Sequence, residues 1–92
     1  MRVERHRDEI RNLVAQFRAA RPRIVGSIAR GEDQPGSDVD ILVDFTDEAT
    51  LLDEVGLRLA LTDLLRVEVD VIASDSLRGN VRDRLLGEAE PV

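Results

Sequence analysis

Two short stretches of this sequence combine residue types and spacing suited to phosphate chemistry. In the first, the apolar pair Ile24-Val25 runs into Gly26-Ser27. The second is Asp38-Val39-Asp40, which follows after ten residues (28 to 37) and leads into Ile41-Leu42-Val43. The first reads as strand, tight turn and helix start. Gly26 lets the backbone turn sharply, and Ser27 offers a hydroxyl and an unpaired N–H at a helix N-terminus, a phosphate-binding arrangement. In a strand, Asp38 and Asp40 point to one face, about 7 Å apart along the chain. Two adjacent carboxylates repel, and a divalent cation most readily keeps both ionised. A phosphate cradle facing a carboxylate pair points to metal-assisted nucleotide chemistry.

The elements that must hold these residues follow from the periodicity. Ile10, Leu13, Val14 and Phe17 make one stripe of a helix over residues 3 to 20, ended by Pro22, which disfavours helix at Arg21. Charges fill its other faces, with Glu4/Arg7, Arg5/Glu9 and Asp8/Arg11 spaced to pair; His6 reads as an ordinary surface residue. Residues 23 to 26 form a first strand, 27 to 31 a helical turn, and 32 to 37 a polar loop with a Pro-Gly turn. From 39 to 45 the alternation is clear. Val39, Ile41, Val43 and Phe45 should face the core, and Asp38, Asp40, Leu42 and Asp44 the opposite, active-site side.

A helix over residues 50 to 65 carries Leu52, Val55 and Leu59 together with Leu51, Leu61, Leu64 and Leu65 as a broad apolar stripe. Residues 67 to 72 alternate again, with Val67, Val69 and Val71 opposite Glu68 and Asp70. Ser74 or Asp75 should cap a last helix bearing Leu77, Val81 and Leu85 and ending at Pro91. The expected order is α-β-α-β-α-β-α, an α/β (α+β) domain with a small three-stranded sheet packed on helices. Asp70, on the polar face of the third strand, is the natural third carboxylate, and Glu68 competes for that place.

The totals set outer bounds. Ninety-two residues make one domain, 1–92, with a modest core that a stable partner would help. With no cysteine there is no disulfide and no thiolate metal site. No apolar run is long enough to span a membrane, and a cytoplasmic protein is the default. The net charge is −6, divided unevenly: residues 1–30 carry eight Arg and three acids, residues 31–92 five Arg and sixteen acids. An acidic balance argues against nucleic-acid backbone binding as the main activity. Phe17 and Phe45 are the only aromatic residues, so the chain has almost nothing on which to stack a base.

Gly-Ser, ten residues, then Asp-x-Asp resembles the signature of the DNA polymerase beta-like nucleotidyltransferase superfamily. The fuller form, Gly26-Ser27-Ile28-Ala29-Arg30-Gly31 through Ser37-Asp38-Val39-Asp40, resembles the minimal nucleotidyltransferases, small prokaryotic proteins that pair with HEPN-domain partners in toxin–antitoxin modules. The likeness is densest over residues 24 to 45 and looser through Asp70 to the C-terminus.

The resemblance implies a mixed sheet with the two Asp-bearing strands adjacent. It makes Asp38, Asp40 and Asp70 the catalytic and metal-binding residues, holding Mg²⁺ as two ions, with Asp70 also a base for the acceptor hydroxyl. Gly26, Ser27 and Arg30 become the nucleotide-binding residues, although Arg30 could equally pair with Glu32 or Asp33. Two divalent ions about 4 Å apart would stabilise the attacking and leaving oxygens of nucleotidyl transfer. The activity implied is that of an antitoxin that moves AMP from ATP to a hydroxyl, expected to be a tyrosine's, of a HEPN RNase toxin within a hetero-oligomer. Many relatives carry a second domain that holds the acceptor; no second domain is evident here, which turns the expectation toward a docked protein acceptor. The rival is a binding module that keeps the fold and neutralises the toxin by contact alone.

Overall fold

A computed structural model of the protein describes residues 5–25 and 39–92. Helix α1 spans Arg7–Gln16. Ile10 and Val14, one turn apart, are fully buried, and Leu13 and Phe17 pack beside them. The remaining faces are largely charged. His6 meets Glu9 at 2.8 Å, and Arg11 donates to the Val92 carbonyl rather than pairing with Asp8. The helix ends sooner than Pro22 suggests. The Phe17 N–H closes its last turn on the Leu13 carbonyl, and Arg18 redirects the chain at φ 61°. That left-handed conformation costs a non-glycine residue roughly 1–2 kcal/mol.

Strand β1 follows at once, at Ala19–Val25, so Pro22 lies inside a strand. A bulge accommodates it. The register against the next strand shifts between Ala20 and Arg23, with Arg21 at φ 52°. Strand β2, Val39–Phe45, runs antiparallel to β1, with Ile24 opposite Ile41 and Val25 opposite Asp40. Helix α2, Leu51–Leu65, then crosses over to β3, Val69–Ala73, which pairs parallel to β2. A parallel pair needs a connection of this length. The Thr50 N–H donates to the Asp53 carboxylate at 2.9 Å, which fixes the first turn of α2. A 3₁₀ turn, Ser74–Ser76, precedes helix α3, Gly79–Glu88.

The sheet is mixed, as expected, but has four strands rather than three. The fourth, β4 (Glu90–Pro91), lies antiparallel to β1 and completes the order β3-β2-β1-β4. Pro91 therefore sits on an edge strand, where a missing N–H is tolerated. The Val92 N–H donates to the Pro22 carbonyl at 3.0 Å.

The core lies between one sheet face and helices α1 and α2. Val39, Ile41 and Val43 of β2 join Val69 and Val71 of β3 and Ile24 of β1 against Ile10, Val14, Leu57, Leu61 and Leu65. Gly56 lets the two helices approach, since a Cβ there would stand 2.6 Å from Phe17 Cε1. Two expected faces turn out otherwise. The inward row of α2 is Leu57, Leu61 and Leu65, while Leu51, Leu52, Val55 and Leu59 are exposed. Leu77 precedes α3, Val81 is exposed, and no residue of α3 is fully buried. The expected helical turn at 27 to 31 lies outside the described residues.

Candidate active site

The face of the sheet away from the helical core carries the acids. Alternation along β2 sends Asp40, Leu42 and Asp44 to this side while Ile41 and Val43 enter the core. Leu42 and Val25 are both fully buried on the carboxylate face, giving the acids an apolar footing.

Asp40 and Asp70 are register partners across the parallel β2–β3 pair. Residues paired in this way share a face, on strands about 4.8 Å apart. Asp40 is half-buried and Asp70 exposed. The Val71 N–H donates to Asp70 Oδ1 at 3.1 Å. Glu68, the competing acid, precedes β3, and its carbonyl accepts from the Val39 N–H. Asp70, not Glu68, is therefore the acid beside Asp40. Like charges directly opposite on a sheet repel, unless a shared cation offsets the repulsion.

Asp38, Gly26, Ser27 and Arg30 lie outside the described residues. No group of three or more His, Cys, Asp or Glu able to hold a metal is found among the described residues. The described pair still has the right donor chemistry for a hard divalent ion: two adjacent carboxylates, side by side on one face.

At the other end of the same face, Asp44 belongs to a different arrangement. Arg21 Nε donates to its Oδ2 at 2.6 Å, and Arg23 Nη2 to its Oδ1 at 2.8 Å. Burial raises the Asp44 pKa, but hydrogen bonds from Ser74, Arg23 and Arg21 outweigh it and hold the carboxyl below its ordinary 3.8. Asp44 thus ties the bulged part of β1 to β2 and to the turn after β3. Sequence reading set Asp44 apart from the metal-binding acids but did not find these partners; the sign was a pair of arginines flanking Pro22 in what proved to be the neighbouring strand.

A carboxylate depressed in the folded state stabilises the fold above its unfolded pKa, and that contribution is lost as pH falls through the folded value. Asp44→Asn is therefore expected to lower stability by about 1 kcal/mol at pH 7, the scale of a partly exposed, charge-assisted contact. The gap from wild type should close as pH drops below about 3.8. Urea unfolding of both proteins from pH 7 to pH 3 checks this; a gap that stays constant would count against the assignment.

Comparison with known proteins identifies the family and the fold. The family model described as a nucleotidyltransferase domain matches residues 3–90. A candidate protein adenylyltransferase of Methanocaldococcus jannaschii is 37% identical over 92 residues, covering 100% of this chain and 99% of the relative. The protein adenylyltransferase MntA of Thermococcus cleftensis is 36% identical over 83 residues, 90% of this chain and 81% of its own length. Among solved structures, a candidate minimal nucleotidyltransferase superposes with TM-score 0.84 at 41% identity, over 98% of this chain and 92% of that one. A toxin–antitoxin crystal structure with AMP-PNP shares the fold at TM-score 0.71 and 20% identity, over 91% and 69% of the two chains. With a family model spanning nearly its whole length and one relative matched end to end, this chain belongs to the nucleotidyltransferase domain family.

Proposed function

We propose that the chain is a metal-dependent protein adenylyltransferase that acts as the antitoxin of a HEPN-type RNase, moving AMP from ATP to a hydroxyl of that toxin in the cytoplasm. The observation that carries this reading is the placement of Asp40 directly beside Asp70 across the parallel strands. Relatives named protein adenylyltransferases support the class of acceptor, and the same fold occurs in a solved toxin–antitoxin structure.

In this reading Asp40 and Asp70, joined by Asp38, hold Mg²⁺, most simply as two ions. Bound there, the ions would supply charge neutralisation for the triphosphate and the leaving pyrophosphate. Gly26 and Ser27 bind the phosphates through backbone N–H groups and the Ser27 hydroxyl, and Arg30 adds a positive charge. Asp70 would take the proton of an incoming hydroxyl, a role that its exposure supports. A tyrosine is the best acceptor, because its pKa near 10 brings its oxygen within reach of such a base. AMP on a residue near the RNase site would add bulk and negative charge where RNA phosphates must bind.

The test is the intact mass of the toxin after co-expression. An increment of about 329 Da, one AMP, is expected with the wild-type chain and not with Asp38→Asn/Asp40→Asn, since covalent transfer needs the carboxylates. If both proteins suppress toxicity and neither adds mass, the chain neutralises by contact alone.

A further inference from the structure

Helix α2 carries two apolar rows, one buried in the core and one largely exposed. Leu57, Leu61 and Leu65 are buried in the core. Leu51, Leu52, Val55 and Leu59 are 71, 83, 37 and 57% exposed. Positions 52, 55 and 59 follow helical i, i+3, i+7 spacing, so they form one continuous row, with Leu51 beside its N-terminal end. A single exposed leucine needs no explanation, whereas four large aliphatic side chains on one helix face mark an interaction surface. At the same end, Leu51 lines a cleft of about 440 Å³ together with Phe45 and Ala73. Its charged lining residues, among those described, are Asp47, Glu54 and Asp75, all acidic. The apolar row thus runs into an acidic recess.

We infer that this surface docks an amphipathic helix of a partner protein, one with an apolar stripe and a Lys or Arg set to enter the acidic cleft. The proposal rests on the antitoxin reading only for the partner's identity, the toxin. Charge complementarity favours this occupant: the charged lining of the cleft is acidic, and a second copy of the chain would bring a net charge of −6 against −6. The row from Leu51 to Leu59 is about 12 Å long, too little by itself to bury the roughly 800 Å² per partner of a standard interface. A partner that fills the cleft as well extends the contact.

The location leaves the carboxylates clear. The cleft is lined by Phe45 and Ala73, the C-terminal residues of β2 and β3, whereas Asp40 and Asp70 lie near the starts of those strands. The five steps along the strand from Asp40 to Phe45 span roughly 17 Å. Disrupting the docking surface should therefore spare nucleotide binding.

The test uses Leu52→Glu/Leu59→Glu in the full chain. Both positions are exposed, and circular dichroism verifies that the fold is kept. The probe is a labelled 18-residue helical peptide with leucines at i, i+3, i+4 and i+7 and two arginines in its last turn, alongside a counterpart with glutamates in place of the arginines. Wild type should bind the arginine peptide at least tenfold more tightly than the glutamate one, and the double variant should lose at least tenfold. Affinity for a non-hydrolysable ATP analogue should be the same in both proteins. In co-expression, the toxin should co-purify with wild type and with Asp40→Asn but not with Leu52→Glu/Leu59→Glu. Equal binding of the two peptides or unchanged binding by the double variant would each overturn the proposal, whereas selective peptide binding with no toxin retained by wild type would support the surface and count against the antitoxin reading. A wild-type dimer, seen by light scattering, that the double variant splits would also overturn the proposal, since a second copy would then be the occupant. Toxin bound but never adenylylated would count against the transferase reading alone.

Discussion

Asp40→Asn should abolish nucleotidyl transfer while leaving the fold intact or slightly more stable. Its neighbour across the parallel strands is Asp70, and both carboxylates share the face opposite the core. The amide has nearly the same size and shape but cannot supply the negative charge that a divalent ion requires. Losing a group that stabilises transition-state charge typically lowers kcat by about 10²–10³, and a lost metal ligand should fall at or beyond that range. The same change removes a like-charge contact worth roughly 0.2–1 kcal/mol, so the apoprotein should melt at an equal or higher temperature. Mg²⁺ with an ATP analogue should raise the Tm of wild type and do little for Asp40→Asn, because stabilisation by a ligand follows its affinity for the folded state. Transfer assays and thermal melts, with and without Mg²⁺, read both effects. Transfer at the wild-type rate by Asp40→Asn would remove the carboxylate pair from the mechanism. Loss of activity with a lower Tm would show that Asp40 serves the fold instead.

That pair was half legible in the sequence. Each acid interrupts a strand of β-branched residues, Val39-Asp40-Ile41 and Val69-Asp70-Val71, and alternation alone assigns each to the polar face. Their adjacency is a matter of strand order and register, which local pattern does not encode; the family resemblance implied that the two strands were neighbours. Helix α1 was overextended for a physical reason. Ala19 and Ala20 are helix formers, and the turn at Arg18 uses a left-handed residue with no glycine or asparagine to announce it. Pro22 then read as a helix stop, although a bulge lets it sit within β1. The two-residue strand β4 is too short to show any period. On α2 the signal was saturated rather than weak. Leucine or valine occupies eight of fifteen positions from Leu51 to Leu65, so no single stripe stands out, and Leu57 was passed over in favour of the exposed row.

Those two rows of α2 should separate cleanly in stability. Leu61 is fully buried in the cluster that joins α2 to the sheet, while Leu59, two positions earlier, is 57% exposed. Leu61→Ala removes buried methyl and methylene groups and leaves a cavity that its neighbours fill only in part, for a loss of about 2–5 kcal/mol. Against the roughly 5–15 kcal/mol that holds a typical domain together, that is a large share. Leu59→Ala removes little buried surface and exchanges leucine for the best helix former, so its effect should stay within about 0.5 kcal/mol. For a chain of this size, with a urea m-value near the low end of about 1–3 kcal/mol/M, Leu61→Ala should bring the unfolding midpoint down by about 2–5 M. Leu59→Ala should hardly move it. Equal midpoints for the two variants would mean that the inward face of α2 had been misassigned. A large loss at Leu59 alone would show that the exposed row is already covered in solution, by self-association that dilution should reverse.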